Sequence, residues 1–202
     1  MSTGRMEAFS DGVIAIVITV MVLGLPTPRG TSWAALHEAF PVLLTYVISF
    51  VYLGIYWNNH HHMFQATDRV SGLILWANLH LLFWLSLIPF TTAWMGENNF
   101  AATPAAAYGI VLLAAALAYY ALQRVIVRDQ GAASLLAGAV GRDWKGKLSP
   151  LLYATGIGLS FLDRWLAVAV YVGVALMWLV PDRRLERTIA ARAAVDPGEP
   201  AN

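Results

Sequence analysis

Residues Arg5 to Leu25 read RMEAFSDGVIAIVITVMVLGL, and the reading of this stretch decides the rest. It opens with Arg5, Glu7, Ser10 and Asp11, then runs apolar from Val13 to Leu25 with Thr19 as its one hydroxyl. The apolar run has the character of a membrane-crossing helix, yet Asp11 stands at its entrance. A charge there costs a few kcal/mol unless it is paired or wetted. The segment is therefore expected to face protein or water rather than lipid.

Composition supports a membrane setting. Hydrophobic residues make up 58% of the 202 residues and charged ones 12%, against roughly 45–50% and about 25% in soluble domains. Mean hydropathy is +0.60. An integral membrane protein is expected, with the lipid bilayer as its main partner. The net charge of +1 and the lack of a basic stripe with interleaved aromatics argue against nucleic-acid binding. With no cysteine, disulfides, thiolate metal sites and cysteine catalysis are excluded. Glu7 and Asp11 occupy the place of a basic leader region, so a secretory signal is not expected.

Six segments approach the roughly 20 apolar residues that a spanning helix needs. They run over about 9–25, 40–57, 72–94, 105–127, 148–162 and 165–180, and the second can continue as helix to Phe64. Pro89 is placed to kink the third, and Gly156 and Gly158 allow close helix approach in the fifth. Residues 1–181 thus read as one all-α, polytopic membrane domain with six transmembrane helices, and 182–202 as a tail. An even number of spans puts both termini on one side. With the termini inside, eleven of the thirteen Lys and Arg residues are cytoplasmic, and only Arg29 and Arg164 lie outside. A multi-pass protein of the bacterial inner membrane with cytoplasmic termini is expected.

The polar residues need reasons. Ser10 and Asp11 stand where a helix N-cap belongs. With Arg5 one turn before Phe9, they also fit a polar corner that sets the angle of the helix. The second segment ends in Tyr56-Trp57-Asn58-Asn59-His60-His61-His62-Met63-Phe64, in which Trp57, His60 and Phe64 share a face. Three adjacent histidines diverge by about 100° per residue, so a metal site from this run is poor geometry. A solvated helix end, or a hydrogen bond from a histidine to Asp11 or Ser10, remain as readings. Asn78 and His80 in the third segment could close a network with Asp11 and His60, since buried polar groups in membranes bond across helices. In the first segment Ile16 and Leu23 share a face, Val20 lies about 40° off, and Thr19 lies about 60° to the other side. Because the run is apolar all round, periodicity does not choose this face.

Arg5-x3-Phe9-Ser10-Asp11-Gly12 with its apolar continuation resembles the signature of the transmembrane protein 175 family, potassium channels of lysosomes and endosomes. Trp57-x2-His60-His61-x2-Phe64 resembles the family's second-helix motif, and Asn78 with Pro89-Phe90-x-Thr92 is similar to its third helix. The likeness is specific over about the first 95 residues, and the single copy matches the bacterial form. It implies a homotetramer whose first helices line a central pore for monovalent cations. The Thr-Val-Gly-Tyr-Gly carbonyl filter is absent; Tyr108-Gly109 lacks the preceding residues. By offset from Phe-Ser-Asp, the resemblance assigns the narrow part to Ile16, Val20 and Leu23, with Thr19 beside them. It implies that Arg5, Ser10, Asp11, Trp57, His60 and Asn78 brace that helix. Val20 is smaller than the leucine often found there, and His62 and Met63 depart from the basic residues common after the paired histidines. No cofactor, catalytic residue or resident metal is implied; potassium is the permeant ion, and protons are a possible second one. A membrane enzyme built on Asp11, His60 and His80 competes poorly, because acidic residues are scarce in the spans. A secondary transporter would predict broken helices in paired repeats.

Overall fold

The computed structural model describes residues 2–131, 136 and 144–179, and these are helices joined by short turns, without strands. The order is α1 (Thr3–Leu23), α2 (Trp33–Glu38), α3 (Phe40–Gln65), α4 (Gly72–Ser86), α5 (Ile88–Glu97), α6 (Ala102–Gln130), α7 (Trp144–Leu159) and α8 (Arg164–Leu179). The expected tail at 182–202, with its arginines, lies outside the described residues. Four stretches are long and apolar enough to cross a membrane: Thr3–Leu23, Phe40–Gln65, Gly72–Glu97 and Ala102–Gln130. The helices α7 and α8 have 16 residues each, about 24 Å at 1.5 Å per residue.

Local chemistry explains the boundaries. The first helix begins at Thr3, so Ser10 and Asp11 lie two turns inside it. This corrects the reading of that pair as an N-cap. The short α2 is capped by the Ser32 hydroxyl, which accepts from the Ala35 N–H at 3.3 Å. Pro89 interrupts the third span as expected, though the break falls at Leu87, between α4 and α5. A proline lacks an N–H and clashes with the carbonyl four residues back, so the disruption precedes the ring. The long α6 stops at Gly131, whose φ of +89° few other residues adopt. At the start of α8, Asp163 accepts from the N–H groups of Trp165 and Leu166 at 2.7 and 3.1 Å.

The helix α6 is the hub. It packs against α4, α5, α7 and α8, while α1 lies at the edge on α3, α4 and α5. Leu53, Leu81, Leu85, Leu112 and Leu122 are fully buried in the shared core. Small residues set the closest crossings. Gly109 and Gly156 flank the ring of Tyr171, whose hydroxyl donates to the Ala105 carbonyl at 3.1 Å. Gly96 in α5 faces α3 so closely that a Cβ there would lie 2.6 Å from Thr45 Oγ1 and 2.8 Å from Val42 Cα. A backbone atom cannot rotate away as a side chain can. Gly96→Ala should therefore force the two helices apart and lower stability by about 1–3 kcal/mol. Thermal unfolding of the detergent-solubilised protein measures this, and Gly12→Ala, with nothing within 4 Å of the new methyl, is the control.

Candidate functional site

The buried face of α1 carries Met6, Ser10, Ile14, Val17 and Met21, which recur every three or four residues and so form one stripe. Four of these are apolar and one is a hydroxyl. Ser10 is fully buried, and its hydroxyl donates to the Met6 carbonyl at 2.9 Å. Its oxygen in turn accepts from Asn78 Nδ2 of α4 at 2.9 Å. Asn78 Oδ1 lies 2.8 Å from His60 Nε2 of α3. Since Oδ1 accepts, Nε2 carries the proton and donates. The result is a one-way chain of donors across three helices, from His60 to Asn78 to Ser10 to a backbone carbonyl. The other ring nitrogen of His60, Nδ1, is buried and has no partner among the described residues.

A second set of contacts joins α1 to α3 along their length. Trp57 Nε1 donates to Asp11 Oδ1 at 3.1 Å. One turn earlier in α1, Glu7 accepts from His61 Nδ1. One turn earlier again, Thr3 Oγ1 donates to the Thr67 carbonyl at 3.5 Å. The positions ascend in one helix as they descend in the other, so the pair is antiparallel and held in one register. His61 stacks on Trp57 with ring centres 6.3 Å apart and rings 20° from parallel, and its Nε2 accepts from Gln65 Nε2 at 2.9 Å.

Of the residues singled out in the sequence, the structure brings Ser10, Asp11, Trp57, His60 and Asn78 together, in two adjoining groups. Arg5 is exposed and makes no hydrogen bond or ion pair with them among the described residues. His80 turns away: it is exposed and accepts from Trp84 Nε1 at 3.0 Å, so it does not close a network with Asp11 and His60. Trp57 stacks with His61, whereas His60 pairs with Phe64, ring centres 4.5 Å apart. The three consecutive histidines diverge as helix geometry requires. Glu7 and His61 belong to the brace although the sequence reading passed over them. Their signal is spacing: Glu7 precedes Asp11 by one turn, and His61 follows Trp57 by one turn.

The opposite face of α1 is open. Ile16 is 62% exposed, Val20 49% and Leu23 83%, and Phe9 and Thr19 are exposed with them. The Thr19 hydroxyl donates to the Ile16 carbonyl at 2.9 Å, which turns its proton inward and leaves the oxygen lone pairs on the open side. Thus the helix has a mostly apolar back pinned to its own chain by hydrogen bonds near its start, and a greasy front toward whatever surrounds it.

Residues 5–89 match the family model described as "Endosomal/lysosomal potassium channel TMEM175". Over 189 residues the chain is 52% identical to a potassium channel of Chryseobacterium sp. (strain P1-3), covering 94% of this chain and 98% of that one. The chain belongs to the TMEM175 family. A potassium channel of Streptomyces collinus is 34% identical over 189 residues, covering 87% of this chain and 91% of that one. The crystal structure of a lysosomal potassium-selective channel TMEM175 homolog from Chamaesiphon minutus superposes with a TM-score of 0.79 at 30% identity, covering 89% of this chain and 97% of that one. These TMEM175 relatives are channels, not enzymes. Both the braced face and the open face of α1 fall inside the 5–89 match, with their partners on α3 and α4.

The relay makes a stability prediction. Asn78→Leu strands the His60 Nε2–H and removes the donor to Ser10, at about 1–3 kcal/mol for each buried group left unpaired. A loss near 2 kcal/mol should lower the thermal midpoint by about 4–8 °C in a chain of this size. Ser10→Ala should cost less, and the double variant Ser10→Ala/Asn78→Leu should be no worse than Asn78→Leu alone. Strict additivity in the thermal melts would show that the two residues do not act through one chain.

Proposed function

We propose that this chain is a potassium-selective channel whose subunits assemble as a homotetramer around their first helices. The observation that carries the proposal is the open apolar face of α1, set by a polar brace on its opposite side. A helix that packs its own chain with Ser10 and leaves Ile16, Val20 and Leu23 uncovered is suited to line an axial path. The relatives named as potassium channels support the permeant ion, and the fold shared with the Chamaesiphon minutus structure supports the architecture. In this reading α7 and α8 complete six spans, tilted or in locally thinned bilayer. Both termini lie in the cytoplasm of a bacterial inner membrane, the side that the excess of Lys and Arg favours.

Rings of Ile16, with Val20 and Leu23 beyond, form the narrow part. Apolar carbons offer a cation no ligands, so the throat gates by wetting: closed, it excludes water; open, it passes a partly hydrated ion. Potassium is favoured because it sheds water at lower cost than sodium, with the oxygens of Thr19 close by. Such selectivity is modest beside that of a carbonyl cage. A wetted throat also holds a chain of water, so protons share the open path. Asp11, Ser10, Trp57, His60 and Asn78 set the angle of the helix and do not touch the ion. Arg5, exposed at the same end of α1, is free to reach a neighbouring subunit. The pore requires no cofactor.

Purified protein in liposomes or planar bilayers tests this. Wild type should conduct potassium in preference to sodium. Ile16→Asn should conduct both ions and lose most of that preference, because an amide ring keeps the throat wet. Unchanged selectivity in Ile16→Asn removes Ile16 from the constriction. On size-exclusion chromatography, Asp11→Ala should lower the yield of tetramer, and an undiminished tetramer counts against the brace as a determinant of assembly.

A further inference from the structure

Away from α1, a partly open pocket of about 40 Å³ lies between α3, α6, α7 and α8. The rings of Tyr56, Tyr120, Tyr153 and Trp178 wall it, and Asn59 and Gln123 supply its amides. Gln123 is 8% exposed, and its Oε1 is a buried acceptor with no partner among the described residues. The Asn59 amide nitrogen donates to the Ile55 carbonyl at 2.8 Å. Buried acceptors are nearly always met by a donor. Among the described residues, no carboxylate and no cationic side chain lines the space. At the rim, the Arg124 guanidinium lies over the Tyr120 ring at 4.9 Å, and its Nε donates to the Tyr120 hydroxyl at 2.8 Å.

We propose that this pocket takes the primary ammonium of an aminophospholipid, with the lipid phosphate on Arg124. Aromatic faces attract a cation, and an ammonium brings donors that can meet the unpartnered Gln123 oxygen. A trimethylammonium carries no N–H for the buried Gln123 oxygen, so the pocket favours a primary ammonium over a choline head. A free amine meets the Arg124 charge at the mouth. A zwitterion brings its own phosphate, which guanidinium groups bind well. The pocket also lies toward the end of the bundle that carries Arg124, Lys145 and Lys147, at the level of lipid headgroups. The inference rests on membrane embedding and not on the pore.

The test titrates the full-length protein in detergent with phosphatidylethanolamine, phosphatidylglycerol or phosphatidylcholine in mixed micelles, and with ethylammonium chloride alone. Thermal midpoint is the readout. Phosphatidylethanolamine should raise the midpoint saturably, and the other three additions should not. Gln123→Leu should bind phosphatidylethanolamine about tenfold more weakly, the equivalent of one hydrogen bond to a charged group. Arg124→Gln, at an exposed position, should weaken it as well. Equal shifts from all three lipids, undiminished affinity in either variant, or saturation by ethylammonium alone would each overturn the proposal.

Discussion

The hydrogen bond from the Asn78 amide to Ser10 is the contact on which the arrangement of α1 depends. It lies inside a membrane protein, where no water replaces a lost partner. Asn78 can donate to Ser10 and accept from His60 in one orientation only, because its amide oxygen and nitrogen are not interchangeable. Ser10 closes the chain on the Met6 carbonyl of its own helix. Rotating α1 by one residue, about 100°, would carry Ser10 away from Asn78 and leave both unsatisfied. The apolar residues of α1 impose no such condition, since they are spread around the whole helix. Hence Ser10, with the polar ladder to α3, rather than the greasy run, fixes which face looks outward.

The anchoring is unequal along the helix. Among the described residues, the polar contacts from α1 to its own bundle fall between Thr3 and Asp11. Beyond that point Ile14, Val17 and Met21 meet the bundle by apolar packing. Packing of this kind is non-directional, whereas the hydrogen bonds are not. The residues assigned to the throat, Ile16, Val20 and Leu23, all lie on the less anchored part. A small tilt about the braced end moves Leu23 farther than Ile16, simply through its greater distance from the pivot. A fixed root and a freer tip are what a hydrophobic throat needs if it is to wet and dewet without unfolding.

Much of this was legible in the sequence, for identifiable reasons. The positions of the four long apolar stretches follow from hydropathy, and the Pro89 break from the chemistry of the ring. That Asn78 meets His60 follows from the rule that polar groups in a membrane must find one another. The expected bond from a histidine to Asp11 or Ser10 is not made: Asn78 stands between His60 and Ser10, and Asp11 accepts from Trp57. Three points were not legible. The N-cap reading of Ser10 failed because the helix starts at Thr3, among residues whose polarity looked like a flank. His80 looked equivalent to Asn78, but two residues along a helix turn a side chain by about 200°, and Trp84 stood one turn away to satisfy it. The ladder from Glu7 to His61 was written in paired spacings on two helices, and its detection required their antiparallel register.

The family model covers 5–89, whereas the Chryseobacterium relative matches nearly end to end. The physics of the two halves accounts for the difference. In the first, each brace position demands a donor or acceptor of one shape: a serine that both accepts and donates, an amide with distinct ends, an indole N–H opposite a carboxylate. Few residues substitute for these. In the second, α6 and its neighbours are held by alanine, leucine and tyrosine packing around Tyr171, where volume-conserving exchanges are tolerated. A motif is therefore readable in the half whose polar side chains bond one another. In the second half the hydroxyls of Tyr52 and Tyr171 donate to backbone carbonyls, those of Tyr171 and Ala105, which any residue supplies. No paired side-chain motif marks these bonds, so span count and hydropathy were all that could be read there.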